Sequence, residues 1–63
     1  MILKCKQTTP NGDIINIKIK AESLQELSEK IAQFKELKQP EATQEAITAL
    51  LLNNGFHSIQ WIF

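Results

Sequence analysis

One turn constrains this chain more than any other feature. Thr9, Pro10, Asn11, Gly12 and Asp13 separate two stretches in which apolar and polar residues alternate. Before the turn Met1, Leu3 and Cys5 alternate with Lys4 and Lys6; after it Ile15, Ile17 and Ile19 alternate with Asn16, Lys18 and Lys20. A period of two marks a strand with one buried and one wet face. Loop length then decides which residues face each other. A two-residue Asn-Gly loop sets Lys18 opposite Cys5 and mixes the two faces along the whole hairpin. A three-residue loop, Pro10 to Gly12, sets Leu3 opposite Ile19 and Cys5 opposite Ile17, and each face stays uniform. The residue types agree. Proline presets φ for the first central position of a type I turn, asparagine suits the second, and glycine takes the left-handed conformation that closes the loop. The expected strands cover residues 1–9 and 13–20.

Ser23 and Glu26 have the spacing of a capping box. Leu24, Leu27, Ile31 and Phe34 form the apolar stripe of an amphipathic helix, with Glu26 and Lys30 placed as an i, i+4 ion pair. The residue before Pro40 is biased away from helix, so this helix is expected over 23–38. A second helix is expected over 40–54, with Pro40 as its first residue and Glu41 and Glu45 near its N-terminus. Its apolar arc runs through Ala42, Ala46, Ile47, Ala49, Leu50, Leu51 and Leu52, a breadth that predicts deeper burial than the first helix. Asn53, Asn54 and Gly55 read as its stop, with Gly55 left-handed and Phe56 folding back onto Leu51. Residues 56–63 are the last strand, in which Ile59, Trp61 and Phe63 alternate with Ser58 and Gln60.

The order β-β-α-α-β predicts a single α+β domain spanning residues 1–63, with two helices packed on one face of a three-stranded sheet. If every connection reverses the chain, the last strand runs parallel to the first and the sheet is mixed. The first strand is expected in the centre, order 2-1-3, with 1-2-3 as the alternative.

Size and composition narrow the functions available. A 63-residue chain has a core that supplies only about 3–5 kcal/mol without a disulfide, a metal or a partner subunit. One cysteine, Cys5, and one histidine, His57, provide neither an internal disulfide nor a four-ligand zinc site. Good packing or oligomerisation remains. The sequence has no apolar run long enough for a membrane span and no hydrophobic region of a secretory signal, and a lone cysteine fits a reducing interior, so the expected compartment is the cytoplasm. Nine isoleucines without a valine, and seven lysines without an arginine, are the residue choice of AT-rich codons and suggest a bacterial or phage origin.

Net charge is zero, but residues 1–20 hold four lysines and one aspartate (+3), and residues 21–63 hold three lysines and six glutamates (−3). In the expected hairpin Lys4 faces Lys18, while Lys6 and Lys20 share their side of the sheet. Directly opposed like charges cost about a few tenths of a kcal/mol per pair. Lys4, Lys6, Lys18 and Lys20 are therefore the candidate partner- or anion-binding face. The simpler reading is a solvated face whose lysines prevent edge-to-edge aggregation. Nucleic acid is weakly supported: the chain lacks arginine, no aromatic residue is interleaved with the lysines, and there is no net positive charge. Trp61 and Phe63 share the parity of Ile59 and read either as core or as a partner surface. Ile62 and Ile2 have the opposite parity, on the open face. These four are the candidate interface residues. Cys5 and His57 share odd parity but lie toward opposite ends of their strands, so no catalytic pair is expected, and no metal or cofactor motif is present. The expectation is a non-enzymatic protein-interaction or accessory module, paired with itself or another protein through its last strand. The alternative is a weak nucleic-acid or polyanion binder acting through the lysines.

Overall fold

The computed structural model describes residues 1–35 and 38–63. Its elements are β1 (Ile2–Thr8), β2 (Ile14–Lys20), α1 (Leu24–Lys35), α2 (Gln44–Asn53) and β3 (Phe56–Ile62). The hairpin has the register that face uniformity demands: Leu3 pairs with Ile19, Lys4 with Lys18 and Cys5 with Ile17. The Thr9 N–H donates to the Asp13 carbonyl (2.8 Å), the Gly12 N–H donates to the Thr9 carbonyl (2.9 Å), and Gly12 has φ +88°. The three-residue loop is thus closed by the left-handed glycine. At the far end the Met1 ammonium donates to the Ala21 carbonyl (2.8 Å) and the Ala21 N–H donates back to the Met1 carbonyl (3.1 Å).

The strand order is β2-β1-β3. The direction of β3 differs from the expectation. It runs antiparallel to β1, with Ile2 opposite Ile62, Leu3 opposite Trp61 and Lys4 opposite Gln60, so the sheet is wholly antiparallel rather than mixed. The mixed sheet followed from assuming that the link between the helices reverses the chain. Residues 38–43 are not helical, and Pro40 lies back beside the middle of α1, where its carbonyl accepts from the Ser28 hydroxyl. This stretch carries the chain back along the molecule before α2 begins, and β3 consequently enters in the direction of β2.

The start of the second helix is also corrected, from residue 40 to Gln44. Thr43 is a better N-cap than Pro40 is a first residue, because its hydroxyl accepts from the Ala46 N–H (3.1 Å). Pro40 is held elsewhere: its carbonyl accepts from the fully buried Ser28 hydroxyl (2.5 Å). In α1 the Glu26 N–H donates to Ser23 Oγ (3.1 Å), as a capping box requires, but the Glu26 carboxylate accepts from the Glu22 N–H (3.0 Å) rather than from Ser23. That hydrogen bond first, and the Lys30 ammonium at 3.2 Å second, hold the Glu26 carboxyl below its ordinary range. The last turn expected for this helix falls partly on residues 36 and 37, outside the described residues; Lys38 is not helical.

Leu3 and Cys5 of β1, Ala21, Leu27 and Ile31 at α1, Ile47 and Leu51 of α2, and Phe56 of β3 form one buried cluster. Both helices therefore cover the same sheet face, the one bearing the odd residues of β1 and β2, in a two-layer domain. The expectation that α2 is the more buried helix is not met. Only Ile47 and Leu51 of α2 are buried, and Leu52 is 57% exposed. Its apolar arc is wider than the sheet it rests on.

Candidate binding face on the open side of the sheet

The sheet face away from the helices is built from the even residues of β1 and β2. The pairing sets Lys4 beside Lys18, Lys6 beside Asn16, Thr8 beside Ile14 and Ile2 beside Lys20. Across the other edge of β1, Lys4 meets Gln60, Lys6 meets His57 and Ile2 meets Ile62. All four sequence-selected lysines come together on one surface, and Ile2 and Ile62 are direct neighbours at one end of it. No strand residue on this face is acidic.

His57 belongs to this face, contrary to the parity argument that placed it with Cys5. The β1–β3 register shifts between Lys4 and Lys6, and Ser58 has φ +54°. This is a β-bulge: one residue is added to β3, and side-chain parity inverts across it. Before the bulge Phe56 points into the core; after it Ile59 and Trp61 do. His57 is turned to the open side, where Nε2 lies 2.9 Å from Thr8 Oγ1 and Nδ1 3.1 Å from Ser58 Oγ. Cys5 and His57 are close along the sheet but on opposite faces. A signal for the bulge is present in the sequence: Phe56 and Ile59 are three residues apart, an odd spacing that an uninterrupted strand cannot place on one face. Burial pushes the Cys5 thiol up from its ordinary range. A thiol with a raised folded-state pKa contributes stability below its unfolded value and loses it as pH rises through the folded one.

A left-handed serine is strained, since Cβ crowds the following carbonyl. Ser58→Gly removes the clash, although glycine gives back part of the gain through the freedom it adds to the unfolded chain. The expected net gain is about 0.5–1 kcal/mol, read as a higher urea midpoint at unchanged slope. A lower midpoint would mean that the serine side chain holds the bulge in place.

A depression of about 320 Å³ opens on this face, lined by Lys4, Lys6, Lys18, Asn16, Ser58 and Gln60, with Cys5 and Ile17 beneath. The side chains of Lys4, Lys6, Lys18, Asn16 and Gln60 make no hydrogen bond or ion pair among the described residues.

The remaining sequence-selected residues lie on the helix side of β3. The Trp61 indole N–H donates to Thr48 Oγ1 (3.1 Å), and its ring stacks on Phe63 at 6.0 Å and 7°. Trp61 is half-buried against the core, whereas Phe63 is 73% exposed. Beside them an open trough of about 450 Å³ is lined by Trp61 and by Gln44, Glu45, Thr48, Ala49 and Leu52 of α2. The two sheet edges differ in chemistry. Thr9 and Asp13 exchange a backbone bond, and bonded pairs recur at every second residue. The odd residues of β1 therefore bond β2, and its even residues bond β3. Ile14, Asn16, Lys18 and Lys20 turn their main chain to the outer edge of β2, and Ile59 and Trp61 do so on β3. One edge is lysine-guarded; the residues turned outward on the other have no charged side chain.

No family model, no curated protein and no solved structure matches this chain. Fold and surface together define a small two-layer ββααβ domain with a basic open sheet face and a free strand edge whose outward residues have no charged side chain. Among the described residues no helix is long and apolar enough to cross a membrane, and no group of three or more His, Cys, Asp and Glu side chains is placed to hold a metal ion.

Proposed function

We propose that this protein is a non-enzymatic interaction module that pairs with a second copy of itself through the outer edge of β3. The observation that supports this reading is the contrast between the two edges. Free strand edges are normally guarded by charge, and β2 has Lys18 and Lys20 where β3 has Ile59 and Trp61. Antiparallel β3–β3 pairing about a two-fold axis would extend the sheet to six strands. The two sets of β1 lysines would then stand about 14 Å apart, three strand spacings, beyond the screening length of physiological salt. On the helix side the exposed Leu52 and Phe63 would be covered. Pairing through β2 would instead bring Lys18 and Lys20 of two copies together. A reduced cytoplasmic setting is part of the same reading and rests on the single buried thiol of Cys5.

Sedimentation across a hundredfold range of micromolar concentration tests it. Reversible dimerisation is expected in the natural chain. Leu52→Lys with Phe63→Lys is expected to leave a monomer with an unchanged fold, since both side chains are mostly exposed. A natural chain that stays monomeric throughout, or a double variant that still dimerises, overturns the reading.

The second reading is anion binding on the open face, favoured by four lysines and His57 with no carboxylate among them. Nucleic acid is disfavoured as that anion. The chain has no arginine, and its aromatic rings lie elsewhere: Phe56 in the core, Phe34 on α1, and Trp61 stacked with Phe63 on the helix side.

A further inference from the structure

The open face is not uniformly basic. Three of its lysines border one place, the depression beside the Ser58 bulge. Lys4, Lys6 and Lys18 line it, together with Asn16, Gln60 and Ser58 and with Cys5 and Ile17. Each of the polar side chains can donate, and no carboxylate is among them. The lysine and amide side chains have no partner among the described residues. Two of the lysines, Lys4 and Lys18, are directly paired across the strands, an arrangement that destabilises the free protein and is relieved when an anion sits between them.

The bulge adds a neutral donor at this place. It turns His57 and Ser58 toward the open face, and the imidazole bridges two hydroxyls, Thr8 Oγ1 at 2.9 Å and Ser58 Oγ at 3.1 Å. With the imidazole proton on Nδ1, the Thr8 hydroxyl donates to Nε2 and Nδ1–H donates to Ser58 Oγ. The Ser58 proton is then free to point into the depression. His57 is a positioning residue in this arrangement, and the left-handed backbone of Ser58 is strain held at the site.

We propose that this depression, closed on one side by the Ser58 bulge, binds a phosphomonoester group between Lys4, Lys6 and Lys18, with Ser58, Asn16 and Gln60 as neutral donors. A phosphomonoester has close to two negative charges and three terminal oxygens, which suits several ammonium groups and a hydroxyl at once; a single carboxylate satisfies fewer of them. A phosphodiester strand is less suited, because it offers one charge per unit and leaves its bases without a stacking partner on this face. The volume of about 320 Å³ is at the small end of ligand sites, room for a phosphate head group and a few attached atoms. The group can come from a small phosphorylated metabolite or from a phosphorylated side chain of another protein. The site does not depend on self-association, since β3–β3 pairing leaves the open face clear.

The test is a titration of ¹⁵N-labelled protein, read by amide shifts at constant ionic strength. The probes are inorganic phosphate, a short phosphoserine peptide, the same peptide with glutamate in place of phosphoserine, and a single-stranded oligonucleotide. Saturable shifts at Lys4, Lys18, Ser58 and Gln60 are expected with phosphate and with the phosphopeptide. Tighter binding of the phosphopeptide identifies a protein source, and equal binding a small-molecule source. Lys18→Thr is expected to weaken binding about tenfold or more, the loss of one charge-assisted hydrogen bond. Its urea midpoint should be no lower than that of the natural chain, which excludes unfolding as the cause. Shifts that chloride reproduces, a glutamate peptide that binds as well as the phosphopeptide, preferential binding of the oligonucleotide, or a Lys18→Thr variant that binds undiminished would each overturn the proposal.

Discussion

Leu3→Ala is expected to remove a large share of the chain's stability, about 2–5 kcal/mol. Leu3 is fully buried on the central strand, with Ile19 on one flank and Trp61 on the other. Truncating a buried leucine costs about 2–5 kcal/mol, because the lost transfer energy is joined by the cavity left behind. At roughly 0.05–0.15 kcal/mol per residue, a domain of 63 residues has only about 3–9 kcal/mol to lose. The helices add little outside the shared cluster, because isolated helices of 12 and 10 residues are marginal in water. Loss of packing at Leu3 should therefore take them down with the sheet. Circular dichroism with urea unfolding measures it. Ile14→Thr on the same sheet is the control: Ile14 is more than half exposed, and the change should stay within about 0.5 kcal/mol. A Leu3→Ala protein with the midpoint of the natural chain would mean that the core is not centred on β1.

Ser28→Ala is expected to destabilise by about 1–2 kcal/mol, the balance of two opposed effects. Alanine is the better helix former by roughly half a kcal/mol. Against that, the Ser28 hydroxyl is fully buried and donates to the Pro40 carbonyl twelve residues away. Leaving an acceptor without its donor costs about 1–3 kcal/mol. The bond fastens the stretch between the helices onto α1, so the same substitution should also speed hydrogen exchange at Thr43 and Ala46, where α2 begins. An unchanged urea midpoint would show that this stretch is held by other contacts.

The hairpin is legible in the sequence because two independent local signals converge on it. Alternation in residues 1–8 and 14–20 demands uniform faces, and Pro10-Asn11-Gly12 supplies the turn that delivers them. The lysine face comes with it, since register and parity alone place Lys4 against Lys18. Ser23 as a helix cap and Gly55 as a helix stop are legible for the same reason: a cap or a left-handed residue acts within a few residues of itself.

Residue order alone thus settles the local chemistry: which segments are strand or helix, the pairing of β1 with β2, and the basic side of that hairpin. The order of the elements also favours β1 at the centre, order 2-1-3, with both helices on one face, as the structure has them; the remaining features required the packed chain. The direction of β3 depends on where residues 38–43 run, and that depends on Ser28 meeting Pro40, a contact between positions twelve apart. Helix α2 starts at Gln44 rather than at residue 40 because Pro40 is occupied by that contact and Thr43 caps the helix. His57 changes faces because β3 must pass Cys5 with one extra residue, and a bulge is defined only by the partner strand it fails to match. Local patterns have a period but no knowledge of a partner's position; long-range pairing sets direction, parity and the residues that border the depression on the open face.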